Sequence, residues 1–329
     1  MKVSQIKYLH NVLTDFPEKI GEPAATPADD HVFKVRDPEE ARPLDEARAT
    51  AFHHTTAQLL FLSSRTRRNI QTAVSFLTTR VKNPDEDDWG KLKRCLRYLK
   101  GTKYMKLTLT VDNLNVIHWW IDASDRTHMD CKGHTGAMMS LGKGATLSYS
   151  AKQKINTKSS TESELVGADQ ILTRVIWSLY FIEAQGYTID HNIVFQDNQP
   201  TMRLEMNGAL SSSSRTKHIH ARYFFITDRI EMGEVEIVYC PTEEMWADVL
   251  NKPKQGRPFR LDRSHLMNVP MDYDDEMERE RTHPQLLPTD EPSSPVQPAQ
   301  QFGEKLYRRS VLGDIQNHQI TGSANPSWS

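Results

Sequence analysis

The order of apolar patterns along residues 101–253 constrains the fold more than any other feature of the sequence. Two alternating segments, "KLTLTVD" and "NVIHWWID", follow Gly101 and predict strands, because alternation places every second side chain on one face of a sheet. The segments "TGAMMSL" and "ATLSYSA" come next, separated by Gly142 to Gly144, and predict a hairpin. The pattern therefore predicts three or four antiparallel strands at the start of this region.

The remainder of this region alternates helices with strands. A long helix is predicted from about 160 to 185, followed by the strand "HNIVFQD" and a short helix. After the linker "GALSSSSRT" come a helix through "ARYFFITDRI", the strand "EVEIVYC" and a last short helix, "EEMWADVLNK". Residues 111–269 are therefore expected to form an α/β domain.

Residues 1–110 are predicted to be mainly helical. The first 20 residues favour a short amphipathic helix, and residues 51–80 carry apolar side chains at the spacing of two packed helices. "NPDEDDWGKLKRCLRYLKGTK" has acids in its first turn and bases in its last, and Gly101 marks its end. Four prolines mark residues 21–50 as an extended connector, in which no core is expected.

Composition indicates the properties of the remaining regions and of the chain as a whole. Residues 270–329 are rich in acids, Pro, Ser and Gln and are predicted to be a disordered tail. A net charge of −2 and the lack of a run of about 18 apolar residues predict no membrane partner. The N-terminus lacks the apolar stretch of a secretory signal, so an intracellular, cytoplasmic location is expected.

The cysteines predict neither a disulfide framework nor a ribbon-type zinc site. Cys95, Cys131 and Cys240 lie far apart, without C-x-x-C spacing. His128, Cys131 and His134 have metal-ligand spacing, but a structural zinc needs four ligands and the sequence shows no fourth. This stretch is therefore interpreted as a strand or loop.

Acidic residues stand where the predicted strands end and the predicted helices begin. They are Asp122 after "HWWI", an acid at the start of the long helix, Asp197 after "IVFQ", and Asp248 in the last helix. Because such ends converge at one edge of an α/β sheet, these carboxylates can share a cation. Oxygen ligands suit Mg²⁺ or Mn²⁺, and two such ions support hydrolysis of a phosphodiester. The alternative for any single Asp is a turn or capping role.

Two acids compete for the position at the start of the long helix. With Ser159 as the N-cap, Glu162 is at the capping-box position, whose side chain returns to the N–H of the cap. Glu164 lies closer to the apolar arc of the helix and therefore leans toward the sheet. The sequence ranks Glu164 as the metal ligand and Glu162 as the cap, without excluding the reverse.

Several long motifs in order resemble one family. They are "WIDAS", "CKGHTGAMMSLGKGATLSYSAKQK", "NTKSSTESELVGAD", "VFQDNQPTM", "SSSSRTKHIHARYFFITDRI" and "VEIVYCPTEEMWADVLNKP". From about residue 115 to 253 the chain resembles the type 1 ribonuclease H domain of copia-type retrotransposon Pol polyproteins. Residues 1–110, with "DEDDWGKLKRCLRYLKGT", resemble the thumb and connection that follow the reverse transcriptase palm in such polyproteins.

The resemblance implies a ribonuclease H-like fold, with a mixed five-stranded sheet and flanking helices, and an enzyme that hydrolyses the RNA strand of RNA/DNA hybrids. Its ligands for two Mg²⁺ or Mn²⁺ ions would be four acids: Asp122, Glu164, Asp197 and Asp248. Implied partners are the hybrid and other parts of the polyprotein, and an active element would place the protein in virus-like particles.

Four further residues are candidates for contacts with the hybrid. Asn198 and Gln199 could donate or accept hydrogen bonds in the minor groove, or they could cap a helix. Lys93 and Arg97 belong to a basic helix face that either follows the phosphate backbone or is an ordinary solvated face.

The sequence also departs from the family. The Tyr-x-Asp-Asp motif of the palm is missing, so no polymerase activity is expected. The loop "CPTEEMWAD" lacks the mobile histidine of cellular ribonucleases H; His218 and His220 either replace it or are surface residues. The alternatives to an active ribonuclease are a non-catalytic, nucleic-acid-binding remnant and an integrase or transposase core, which would act on DNA.

Overall fold

The computed structural model describes residues 1–208 and 220–274, with the backbone alone for 220–224. The predicted linker and His218 lie outside the described residues, as do the side chain of His220 and the tail beyond residue 274. The described helices are α1 Ile6–Asp15, α2 Glu46–Arg65, α3 Gln71–Arg80, α4 Glu86–Gly101, α5 Ser160–Ala184, α6 Gln199–Asn207, α7 His220–Glu231 and α8 Gly256–Met267. The strands are β1 Lys2–Val3, β2 Leu107–Thr108, β3 Thr110–Val111, β4 Val116–Ser124, β5 Lys132–Ser140, β6 Gly142–Lys143, β7 Leu147–Asn156, β8 His191–Gln196 and β9 Glu236–Tyr239.

A mixed five-stranded sheet forms the centre of the fold, in the order β7-β5-β4-β8-β9. β7, β5 and β4 are antiparallel, as short hairpin connections require, whereas β8 and β9 run parallel to β4 after helical crossovers. The ribonuclease H-like fold predicted from the sequence is therefore confirmed by the strand order and directions.

Helices cover both faces of this sheet. Helices α1 to α4 bury residues such as Leu59, Leu77 and Leu96 in one cluster with Trp120 and Phe195 of the sheet. On the opposite face, α5 packs against the odd-numbered residues of β4, because side chains alternate between faces along a strand. The helical N-terminal region and the sheet therefore share a core, which crosses the predicted boundary at residue 110.

The connector between α1 and α2 is part of this core. Val32 and Phe33 are buried, and the ring of Phe33 lies 5.0 Å from that of His134 in β5. The Gln255 amide donates a hydrogen bond of 2.8 Å to the Ala28 carbonyl, next to α8. The expectation that no core forms in residues 21–50 was therefore wrong: a few apolar residues among the prolines have partners far away in the sequence.

Three elements differ from the sequence-based prediction. The predicted strand "KLTLTVD" divides into β2 and β3, which pair with β1 and β6 and stay outside the five-stranded sheet. The predicted last helix is instead two 3₁₀ turns, Thr242–Glu244 and Asp248–Leu250. Helix α8 was not predicted.

Helix α5 is long and apolar enough to cross a membrane. Among the described residues it is the one helix with this length and composition. Its apolar residues Leu165, Ile171 and Val175 are buried against the sheet, and 61% of its most apolar window lies inside the protein. The apolar composition of α5 is therefore explained by its packing.

Glu205 in α6 is buried, and within the described structure neither of its carboxylate oxygens has a hydrogen-bond partner. Burial raises the pKa of Glu205 from 4.5 to about 8. A carboxyl whose pKa is higher in the folded state than in the unfolded state makes its full contribution to stability below the unfolded pKa. This contribution is lost progressively as the pH rises from the unfolded pKa through the folded pKa.

We expect Glu205→Gln to stabilise the protein increasingly with pH. The gain over wild type should grow by about 1.4 kcal/mol per pH unit, starting near pH 4.5 and ending near pH 8. Urea unfolding of both proteins across this range measures the difference. A difference that does not depend on pH would contradict the prediction.

Candidate metal centre

Asp122 and Asp197 lie side by side because β4 and β8 are parallel and in register. Trp120 pairs with Phe195, and the two aspartates follow these residues by two positions on the same side of the sheet. Asp122 is the seventh residue of β4 and only 1% exposed, whereas Asp197 comes directly after β8 and is half-buried. Asp122 and Asp197 are therefore neighbours at the edge of the sheet where β8 ends.

Glu164 reaches this edge from the first turns of α5. Its Oε2 accepts a hydrogen bond of 2.9 Å from the Ala123 N–H, directly after Asp122 in β4. Gly167, one turn further along, leaves room for this approach, because a Cβ there would make a tight contact of 3.2 Å with the Ala123 side chain. One oxygen from each of Asp122, Glu164 and Asp197 lies within 4.8 Å of the others.

Glu162 has a different role at the start of the same helix. Ser159 caps α5, and its hydroxyl accepts a hydrogen bond from the Glu162 N–H. The Glu162 Oε2 accepts a hydrogen bond of 2.8 Å from the Lys158 N–H, one residue before the expected Ser159 N–H. The geometry therefore places Glu162 at the cap and Glu164 with the other acids.

Asp248 approaches Asp122 from the face of the sheet opposite to α5. It begins a 3₁₀ turn, and this turn crosses β5 at Gly136, the partner of Asp122 in the β4–β5 ladder. A Cβ on Gly136 would lie 2.8 Å from the Ala247 carbonyl oxygen and 2.9 Å from the Asn251 nitrogen. Only glycine therefore lets the segment that carries Asp248 come this close.

The charges of these acids oppose one another. Burial raises the pKa of Glu164 well above its usual value, and the nearby negative charges of Asp122 and Asp197 add to the effect. Burial also raises the pKa of Asp248, and the neighbouring Asp122 carboxylate adds to the effect. The pKa of Asp122 is lowered, because its burial, which would raise the pKa, is outweighed by the proximity of Asp248, the charge of Lys252 and the amide of Asn251.

Two lysines and one asparagine contact the acids. The Lys252 ammonium lies 3.1 Å from Asp122 Oδ2 and 2.7 Å from Asp248 Oδ1, and the Asn251 amide donates to Asp122 Oδ2 at 2.6 Å. Lys254 lies 2.9 Å from the other Asp248 oxygen. In the sequence, the one signal for these residues is the spacing of Asp248 and Lys252, four residues apart, and no role was predicted for them.

The donor set fits a divalent metal. Three carboxylates from three elements offer hard oxygen ligands within reach of one ion, and mutual repulsion is relieved when a cation binds between them. Next to them the buried Asn251 Oδ1 has no hydrogen-bond donor among the described residues. The identity of the metal and the role of each ligand stay predictions.

Three of the four candidates for nucleic-acid contacts, Asn198, Lys93 and Arg97, have partners within the chain. Asn198 caps α6, because its Oδ1 accepts a hydrogen bond from the Thr201 N–H, while Gln199 is exposed in the first turn. Lys93 forms an ion pair with Glu18, and Arg97 donates to the Glu22 carbonyl. The basic face of α4 is thus covered in part by the connector, and contact with nucleic acid stays a prediction.

The His128-Cys131-His134 stretch forms a contact between histidines. His128 Nε2 lies 3.0 Å from His134 Nδ1, and His134 Nε2 lies 2.9 Å from the Ser150 hydroxyl. Burial lowers the pKa of His128 to about 4 and that of His134 well below its usual value. The hydrogen bond between the two rings and the one to Ser150 explain this pair without a metal.

Comparison with known proteins identifies relatives of the chain. It is 28% identical over 262 residues to the retrovirus-related Pol polyprotein from transposon TNT 1-94 of Nicotiana tabacum, and 30% identical over 197 residues to that from transposon RE2 of Arabidopsis thaliana. Homologues of this chain are plant Pol polyproteins of copia-type retrotransposons. No protein-family model matches the chain.

The chain corresponds to a small part of these Pol polyproteins. The alignments cover 79% and 59% of this chain, but they span only 20% and 13% of the tobacco and Arabidopsis polyproteins. Most of each relative therefore lies outside the region of similarity.

Similar solved structures are more distant. LC11-RNase H1 in complex with an RNA/DNA hybrid is 17% identical, with a TM-score of 0.30 over 41% of this chain and 92% of that one. The foamy viral protease-reverse transcriptase in complex with an RNA/DNA hybrid is 14% identical, with a TM-score of 0.39 over 69% of this chain and 28% of that one. The topology of the sheet, described above, is what defines the fold.

Proposed function

We propose that the chain is a metal-dependent endoribonuclease that hydrolyses the RNA strand of RNA/DNA hybrids. The observation that carries the proposal is the convergence of Asp122, Glu164 and Asp197 within 4.8 Å, with Asp248 beside Asp122 across the shared Lys252 ammonium. Homology to retrotransposon Pol polyproteins supports a substrate that arises in reverse transcription.

Asp122, Glu164, Asp197 and Asp248 would hold two Mg²⁺ or Mn²⁺ ions. Such ions lower the pKa of a water and stabilise the charge of the leaving oxygen. The protein contributes rigid positions for the ligands, because three of the four carboxylates are buried and fixed by backbone or amide hydrogen bonds or ion pairs. Asp197 is held by the Thr242 hydroxyl, which donates to its Oδ2 at 3.0 Å.

Recognition of the hybrid would depend on shape more than on sequence. Proteins distinguish RNA from DNA through the 2′-hydroxyl and through contacts across the minor groove. Asn198 and Gln199 stand next to Asp197 at the start of α6, so they are the described residues that we assign to such contacts. Any preference for sequence is therefore expected to be weak.

Cleavage of a labelled hybrid tests the proposal directly. With Mg²⁺ the purified protein should cut the RNA strand, leave 3′-hydroxyl and 5′-phosphate ends, and spare duplex DNA. Asp197→Asn should abolish the cleavage, because it removes a charged ligand without changing the shape of the side chain. Binding of the hybrid without cleavage would instead support a non-catalytic remnant, and cleavage that persists in Asp197→Asn would exclude this site.

Thermal melting with and without Mg²⁺ gives a second readout. An ion that binds only the folded protein stabilises it by about 2.7 kcal/mol at a concentration 100 times its Kd. Wild type should therefore melt at a higher temperature in Mg²⁺, and Asp197→Asn should lose most of this shift. Equal shifts in both proteins would place the bound ion elsewhere.

A further inference from the structure

The two sides of the carboxylate cluster carry different partners. Each oxygen of Asp248 lies next to a lysine ammonium, Lys252 for Oδ1 and Lys254 for Oδ2. By contrast, Glu164 accepts a hydrogen bond from the Ala123 N–H and Asp197 accepts one from the Thr242 hydroxyl, and both of these donors are neutral. Positive charge is thus already present on the Asp122–Asp248 side of the cluster.

Lys252 takes the position of a bridging cation on that side. Its ammonium contacts both carboxylates, at 3.1 Å and 2.7 Å, and those carboxylates are buried, with side chains only 1% and 8% exposed. The ammonium of Lys252 contacts one oxygen of each carboxylate and Lys254 contacts the other Asp248 oxygen, so a cation held by Asp122 and Asp248 would meet the Lys252 ammonium. The ammonium and a metal ion therefore exclude each other there.

The lysine can leave this position. Its side chain is 42% exposed and extends from the second residue after the 3₁₀ turn, so the ammonium can move into solvent without a change in the core. Lys254 is more constrained, because it also pairs with Asp262 at 2.6 Å and is only 21% exposed. Of the two lysines, Lys252 is the one that can exchange with an ion.

We propose that Lys252 is an internal competitor for the second metal ion, so that the site fills in two unequal steps. Asp122, Glu164 and Asp197 would hold the first ion, and Asp122 and Asp248 would hold the second only after Lys252 has moved away. The inference rests on the proposed function, since it concerns the same cluster. Lys252 would neutralise Asp122 and Asp248 until the second ion arrives and would thereby set the ion concentration that the site requires.

Titration of the full chain with Mn²⁺, with free ion counted by electron paramagnetic resonance, tests this. Wild type should bind one ion tightly and a second more weakly. Lys252→Gln should tighten the second step by on the order of tenfold, since it removes the competing charge. Lys252→Arg keeps the charge and should leave the second step as weak as in wild type, while Lys252→Met should behave as Lys252→Gln does.

Two matched variants assign the steps. Asp248→Asn should remove the second step alone, whereas Glu164→Gln should weaken the first. Equal affinities for both ions in wild type would overturn the proposal, as would a second step that Lys252→Gln leaves unchanged or weakens.

The outcome is independent of cleavage. If Lys252→Gln tightens the second step but no hybrid is cut, the proposed function fails and the competition stands. If the hybrid is cut and the second step does not respond to Lys252→Gln, the competition fails and the proposed function stands.

Discussion

Glu164→Gln should reduce cleavage of the RNA/DNA hybrid by on the order of 1,000-fold, corresponding to a loss of about 4 kcal/mol of transition-state stabilisation. The reason is that Glu164 is one of three carboxylates within 4.8 Å, so a neutral amide weakens the binding of the ion that they share. Single-turnover cleavage in Mg²⁺ measures the effect.

The metal-free fold should survive this substitution. Glu164 is buried beside Asp122 and Asp197, and removing one of these charges relieves repulsion, so the free energy of unfolding should not fall. Chemical unfolding without added metal therefore separates a catalytic loss from misfolding.

Glu162→Gln is the matched control, two residues away on the same helix. Gln retains an oxygen that can accept the Lys158 N–H, so we expect a loss of stability below about 1 kcal/mol and nearly unchanged cleavage. If Glu162→Gln abolished cleavage while Glu164→Gln did not, the assignment of the two glutamates would have to be reversed.

Gly136→Ala should destabilise the protein by about 1–3 kcal/mol and also reduce cleavage. The new methyl group would meet the backbone of residues 247–251 at 2.8–2.9 Å, and backbone cannot yield as the end of a flexible side chain can. The segment that carries Asp248 must then move away from Asp122. Urea unfolding and the cleavage assay measure the two effects.

Gly90→Ala is the matched control for this substitution. Gly90 lies in α4, and a Cβ there would have no atom within 4 Å, so alanine should stabilise the helix by roughly 0.5–1 kcal/mol. Equal effects of the two substitutions would show that the turn at residues 247–251 is not held against Gly136.

Much of the fold could be predicted because its signals are local. The alternation in "NVIHWWID" and the apolar arc of α5 depend on neighbouring residues, so β4 and α5 were both predicted. The prediction for the short segment "EEMWADVLNK" was wrong. It forms two 3₁₀ turns, because the contact with β5, and not the helix propensity of its residues, decides its backbone conformation.

The basic face of α4 shows why other parts could not be predicted. Its charges are typical of an exposed or phosphate-binding helix. No neighbouring residue in the sequence indicates that another segment packs over Lys93 and Arg97. The partners lie about 75 residues earlier, in the connector that packs on α4. Such pairing is decided by packing over long sequence distances, on which periodicity has no bearing.

The sequence by itself determined most of the strands and helices along residues 116–239 and identified four acids near their ends, because periodicity and strand termini are properties of short segments. Only the tertiary structure decided which acids meet, that Gly136 admits the turn carrying Asp248, and that Lys252 stands between Asp122 and Asp248. The physical reason is that these features depend on contacts between residues more than 100 positions apart: a Cβ on Gly136 would lie within 3 Å of the backbone at residues 247–251, and the Asn251 amide lies 2.6 Å from Asp122 Oδ2.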